Sequence, residues 1–124
     1  MSGGKATMTL PPPAPEQAYM YVSALEAGNI NLSIDKLVAD AEPEIVSVPS
    51  LAFSLRHSKT GFQIVFDLGT RRDLEGYPPA MQQRIQSLGF SSTVTHTVAE
   101  SLEKGGVPPN EVDAVIVSHL HWDQ

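Results

Sequence analysis

The sequence predicts an α/β (α+β) domain, one half of an αββα sandwich. Three observations predict it: short strand-like runs come first, two helical segments follow, and an unbroken apolar run near the end leads straight into closely spaced histidines. At 124 residues the chain has room for one core and not for two ordinary domains. It shows no internal repeat.

Residues 1–18 read as a flexible arm, because Gly3-Gly4 and Pro11-Pro12-Pro13-Ala14-Pro15 cannot form ladder hydrogen bonds. Residues 19–124 read as the domain. In its first strand Tyr19, Tyr21 and Ser23 alternate with Met20, Val22 and Ala24, and Gly28-Asn29 closes it. Ile34, Leu37 and Val38 have helical spacing over only two turns, which fits a short helix or a loop. Ile45–Val48 is the next extended run, broken by Pro49. Leu51–Leu55 and Phe62–Leu68 flank the polar turn Ser58-Lys59-Thr60-Gly61, the pattern of an antiparallel hairpin.

Pro78-Pro79 opens a helix with Met81, Ile85 and Leu88 on one face, and Gly89 ends it. Thr97-Val98-Ala99-Glu100 is a capping box that starts a second helix, stopped at Gly105-Gly106. Pro108-Pro109 bars further helix. The run Ala114-Val115-Ile116-Val117 suits a strand covered on both faces.

Composition excludes several classes of partner. Eight basic against 14 acidic residues give a net charge of −6, which disfavours nucleic acid and anionic membranes. No run approaches the length of a membrane span, and Met1–Leu10 lacks the apolar core of a signal peptide, so a cytoplasmic location is expected. Without cysteine there are no disulfides, and any metal must be held by histidine and carboxylate.

His119, His121 and Asp123 provide that donor set directly after the last strand. In an extended segment, residues two apart project to the same side, so the three converge on one point. Imidazole with carboxylate suits zinc, and iron or manganese as well. Trp122, of opposite parity, faces away and anchors the loop. His57 and His96 stand in polar surroundings without a ligand partner and read as surface residues, and Arg71-Arg72-Asp73 reads as a solvated charge run.

An apolar strand running into His119-Leu120-His121-Trp122-Asp123 resembles the His-x-His-x-Asp-His signature of the metallo-β-lactamase superfamily, with Gln124 where the family has its last histidine. Asp67-Leu68-Gly69 resembles the family's Asp-x-Gly turn. The combination looks most like the lactonase-like branch. The resemblance implies the N-terminal half of the αββα sandwich, truncated at the metal-binding loop. It further implies that His119 and His121 bind a first zinc ion, and that Asp123 binds a second and orients an attacking hydroxide. Asp67 would support the loop through hydrogen bonds, with Gly69 allowing the turn. The implied reaction is attack of zinc-bound hydroxide on a lactone, ester or amide carbonyl of a small-molecule substrate. Because the downstream ligands are lacking, this chain is expected to hold at most one weakly bound ion and to be inactive by itself. The alternative is a non-catalytic fragment or interaction module that folds only with a complementing partner, or that self-associates through its exposed sheet.

Overall fold

Short strands pair into two sheets, with two helices against them. The computed structural model describes residues 9–123; residues 1–8 of the arm, and Gln124 with whatever it contributes to the terminal motif, lie outside them. The strands are β1 (Met20–Leu25), β2 (Asn29–Ser33), β3 (Ile45–Pro49), β4 (Ala52–His57), β5 (Gln63–Phe66), β6 (Ser91–Thr93) and β7 (Ala114–Ile116), with helices α1 (Pro79–Ser87) and α2 (Val98–Lys104). One sheet has the order β1-β4-β5-β7 and the other β3-β2-β6.

The hairpin expected around Ser58–Gly61 is β4–β5, pairing Phe53 with Phe66 and Arg56 with Gln63. β1 joins antiparallel to β4 on one side, and β7 joins β5 in parallel on the other, placing Phe66 beside Ile116. That parallel register brings the C-terminal ends of β5 and β7 side by side. In open sheets this is where binding sites collect, because loops leave both strands in the same direction there.

Two strands were not read from the sequence. In β2, Ile30 and Leu32 alternate with Asn29, Asn31 and Ser33, but the Gly28-Asn29 turn signal obscures the alternation, and the strand pairs with β3 and β6 on its two edges. β6 is three polar residues with no apolar pattern to reveal it. The Ile34 region forms a single 3-10 turn (Ile34–Lys36), and another follows Pro108 (Pro109–Glu111), where only a helix stop was expected.

The largest correction concerns β7. Val115, Ile116 and Val117 are 48%, 44% and 42% exposed, so the strand is not covered on both faces. The reason is topological: β7 is the last strand of its sheet, and nothing among the described residues pairs with its outer edge.

The core collects where α2 meets the first sheet. Val98 and Leu102, one helical turn apart, are buried with Ala27, Ala52 and Val65, and Leu25, Val107 and Val112 pack around them. Each large aliphatic side chain so buried contributes about 2 kcal/mol. The capping box forms as expected: Thr97 Oγ1 accepts from the Glu100 amide at 3.3 Å, and Glu100 Oε2 accepts from the Thr97 amide at 2.9 Å. On α1, Ile85 is buried with Met81 and Leu88 half-buried beside it, and Gly89 follows the helix in the left-handed region at φ 65°. Among the described residues no helix is long and apolar enough to cross a membrane.

Arg71-Arg72-Asp73 is exposed, as expected of a solvated charge run, but its charges are paired. Arg72 grips the Glu100 carboxylate with two nitrogens, at 2.9 and 2.5 Å, and donates to the Thr95 carbonyl at 3.2 Å, tying the loop after β5 to the start of α2. Arg72, with the Thr97 amide, lowers the Glu100 pKa from 4.5 to about 2. A carboxylate lowered in the folded state contributes stability above its unfolded pKa and loses it as pH falls through the folded one. Urea denaturation of Glu100→Gln is therefore expected to show a flatter stability profile than the parent between pH 4.5 and about 2. An unchanged profile would show that the pair carries none of the acid sensitivity.

His57 and His96 also have partners. His57 Nδ1 accepts from the Thr60 amide at 3.1 Å inside the β4–β5 turn, and His96 Nδ1 meets the Glu26 carboxylate.

Candidate functional site

The loop after β7 is built by what captures its backbone. Asp67, immediately after β5, is 5% exposed and adopts φ 61°, a left-handed conformation that aspartate tolerates better than most residues. Its amide donates to the Ile116 carbonyl at 2.8 Å, and its carboxylate turns toward the neighbouring strand end. There Oδ1 accepts from the Ser118 amide at 2.7 Å and Oδ2 from the Ser118 hydroxyl at 2.8 Å. Two residues on, Gly69 at φ 68° lies against Ala27, so closely that a Cβ there would stand 2.4 Å from the Ala27 carbonyl oxygen.

The segment beyond Val117 bends at Ser118-His119 and turns at Trp122-Asp123, so it is not the extended run assumed for projecting alternate side chains together. His119 and His121 meet by this bending. Their rings stand edge to face with centroids 4.5 Å apart, and His119 Nε2 is 3.0 Å from His121 Nδ1.

The polar chain behind them selects the tautomer of the neutral His119 ring. The Ser118 hydroxyl has one proton and gives it to Asp67, whose carboxylate can only accept. His119 Nδ1, 2.9 Å from Ser118 Oγ, must then be the donor in that contact. This leaves the Nε2 lone pair pointing at His121, whose Nδ1–H it accepts. An imidazole fixed in this way by a hydroxyl and a carboxylate is the arrangement that prepares a histidine for a metal. The signal for Ser118 was missed, because a serine next to a histidine is unremarkable until β5 and β7 are paired.

The donor pair fits a transition ion in type and spacing. Two nitrogens at about 2.0–2.1 Å from a tetrahedral zinc stand about 3.3 Å apart, close to the observed separation, and an ion between them would take the place of the His121 proton. Among the described residues, however, no three His, Cys, Asp or Glu side chains gather closely enough to hold a metal ion.

Asp123 sits on the turn that follows, and that turn is tethered twice. Its carbonyl accepts from the Ser50 hydroxyl at 2.8 Å, and the Trp122 carbonyl accepts from the Tyr77 hydroxyl. The Trp122 ring is half-buried edge-on to Tyr77, with centroids 6.2 Å apart at 86°. Burial raises the Tyr77 pKa above 10.0, and the Asp123 charge adds to the rise. Beside Tyr77 a groove of about 780 Å³ opens between α2 and β7, floored by Val65, Leu68, Val98, Leu102, Val112 and Val115.

No family model matches the chain. Among curated proteins, it is 31% identical over 107 residues to gamma-lactamase FDB1 of Fusarium pseudograminearum, a match covering 83% of this chain and 25% of that protein. It is 40% identical over 60 residues to gamma-lactamase MBL2 of Gibberella moniliformis, covering 48% of this chain and 25% of the relative. The chain thus spans about a quarter of the length of these curated relatives. An N-acyl homoserine lactone hydrolase, solved with its product N-hexanoyl-L-homoserine at the catalytic metal centre, has the same fold over 83% of this chain and 42% of its own, with a TM-score of 0.62 at 18% identity.

Proposed function

This chain has the lactonase-like fold of the metallo-β-lactamase superfamily, and from that premise we propose that it provides the first ligands of a metal-dependent hydrolase site for a cyclic ester or amide. The reading is carried by the hydrogen-bonded series Asp67, Ser118, His119, which leaves Nε2 of His119 unprotonated 3.0 Å from His121 Nδ1. A bound ion would supply Lewis acidity toward a carbonyl oxygen and lower the pKa of water. His119 and His121 would hold it, and zinc suits their nitrogens. Asp67 keeps His119 in the ligating tautomer by way of Ser118. Asp123 remains the proposed carboxylate partner, with Gly69 shaping the turn that places Asp67. The relatives are named for a γ-lactam and a homoserine lactone, both rings opened at an acyl carbonyl, and that is the substrate class proposed here.

Calorimetric titration of the chain with Zn2+ tests the site. Uptake is expected, weakened at least about tenfold in His119→Ala and in His121→Ala. Absence of uptake by the parent, or uptake by both variants equal to the parent's, would defeat the reading.

A second reading, a module that needs a complement, is favoured by the open edge of β7 and its exposed Val115, Ile116 and Val117. Under this reading the chain self-associates through that edge. Sedimentation velocity should then show oligomers that Ile116→Lys disperses; a monomeric parent chain at high concentration speaks against it.

A further inference from the structure

Ser118 is tied to Asp67, but the far end of the loop depends on different residues. Leu120 is 95% exposed and gives the segment no apolar anchor; beyond His121 the Trp122 ring and the carbonyls of residues 122 and 123 meet the body. Tyr77 supplies both a hydroxyl for the Trp122 carbonyl and a ring for the indole edge. Tyr77 is itself oriented. The Arg71 guanidinium lies over its ring, 5.5 Å from the centroid, and is held there by two contacts of 3.3 Å to Asp73. Ser50, 5% exposed in the link from β3 of one sheet to β4 of the other, secures the next carbonyl.

We propose that Tyr77 and Ser50 are positioning residues that clamp the Trp122-Asp123 turn, holding the histidine pair closed and Asp123 at a set place beside it. This deepens the metal-site reading and rests on it for its purpose, though the clamp itself is a property of the polypeptide. The two tethers come from segments 27 residues apart in sequence that also belong to different parts of the fold, so the turn registers how those parts are docked. Tyr77 additionally borders the apolar groove, so a ligand in that groove would press on the residue that holds the turn.

Trp122 is the sole tryptophan of the chain, which makes the clamp directly observable. Tyr77→Phe keeps the ring and removes the hydroxyl; Ser50→Ala removes the other tether with little change in volume. Each is expected to shift Trp122 emission to longer wavelength and raise its quenching by acrylamide, while the urea midpoint moves little. Each is also expected to weaken Co2+ binding about tenfold, the usual consequence of loosening the support of a ligand loop. Should Tyr77→Phe not fold, Ser50→Ala decides by the same two measurements. If neither variant changes Trp122 accessibility, the clamp is wrong whatever happens to Co2+. If the parent chain binds no Co2+ but Trp122 loosens in the variants, the clamp stands and the metal-site reading falls.

Discussion

Gly69→Ala is expected to cost about 3 kcal/mol or more and to lower the urea midpoint by more than about 1 M. Two effects combine. The backbone at φ 68° is left-handed, which costs an alanine about 1–2 kcal/mol, and the new Cβ would stand 2.4 Å from the Ala27 carbonyl oxygen and 2.5 Å from its Cβ. That carbonyl is backbone, belongs to a core residue 3% exposed, and already accepts from the Thr70 amide at 2.9 Å, so it has nowhere to move. Gly61→Ala is the control. It has φ 72° but nothing within 4 Å of an added Cβ, so only the conformational part should be lost. Equal midpoints for the two variants would show that the contact with Ala27 is not limiting.

Asp67→Asn should leave the fold intact and damage the histidine pair. Asparagine also tolerates φ 61°, and its carbonyl oxygen can still accept from the Ser118 amide. The amide nitrogen, however, can only donate, so it would donate to Ser118 Oγ, whose proton then turns toward His119 Nδ1. His119 must switch to the tautomer with Nε2 protonated, which closes the atom facing His121. Metal affinity is expected to fall about 10- to 100-fold with little change in urea midpoint. Nitrogen NMR of the imidazoles should show the proton moving from Nδ1 to Nε2. An unmoved proton with undiminished metal binding would mean that Asp67 does not act through Ser118.

The elements with strong local signals were legible in the sequence: the β4–β5 hairpin around a glycine turn, the two helices with their caps and stops, and the apolar run of β7. Two features escaped because their causes are not local. β6 is a strand only because β2 offers it an edge, and no side-chain alternation in Ser91–Thr93 announces that. β7 has the apolar composition of a covered strand, but exposure is decided by its place at the end of the sheet. The candidate site divides in the same way. Residue type and spacing singled out His119, His121 and Asp123, since few combinations place two imidazoles and a carboxylate after an apolar run, whereas Asp67 and Gly69 stood out only through the resemblance to the family's Asp-x-Gly turn. Ser118, Tyr77 and Ser50 carry no such signature.

By itself, then, the sequence determined the donor chemistry: nitrogen and carboxylate without thiolate, at the end of a strand, in an acidic chain. Only the tertiary structure decided how those donors are presented. Parallel pairing of β5 with β7 sets Asp67 beside Ser118, and Tyr77 and Ser50 hydrogen-bond the Trp122-Asp123 turn of a loop that strand parity alone would have left extended. The physical reason is that a ligand's type is a property of one side chain, whereas its tautomer and direction are set by partners that folding brings from 45 to 73 residues away.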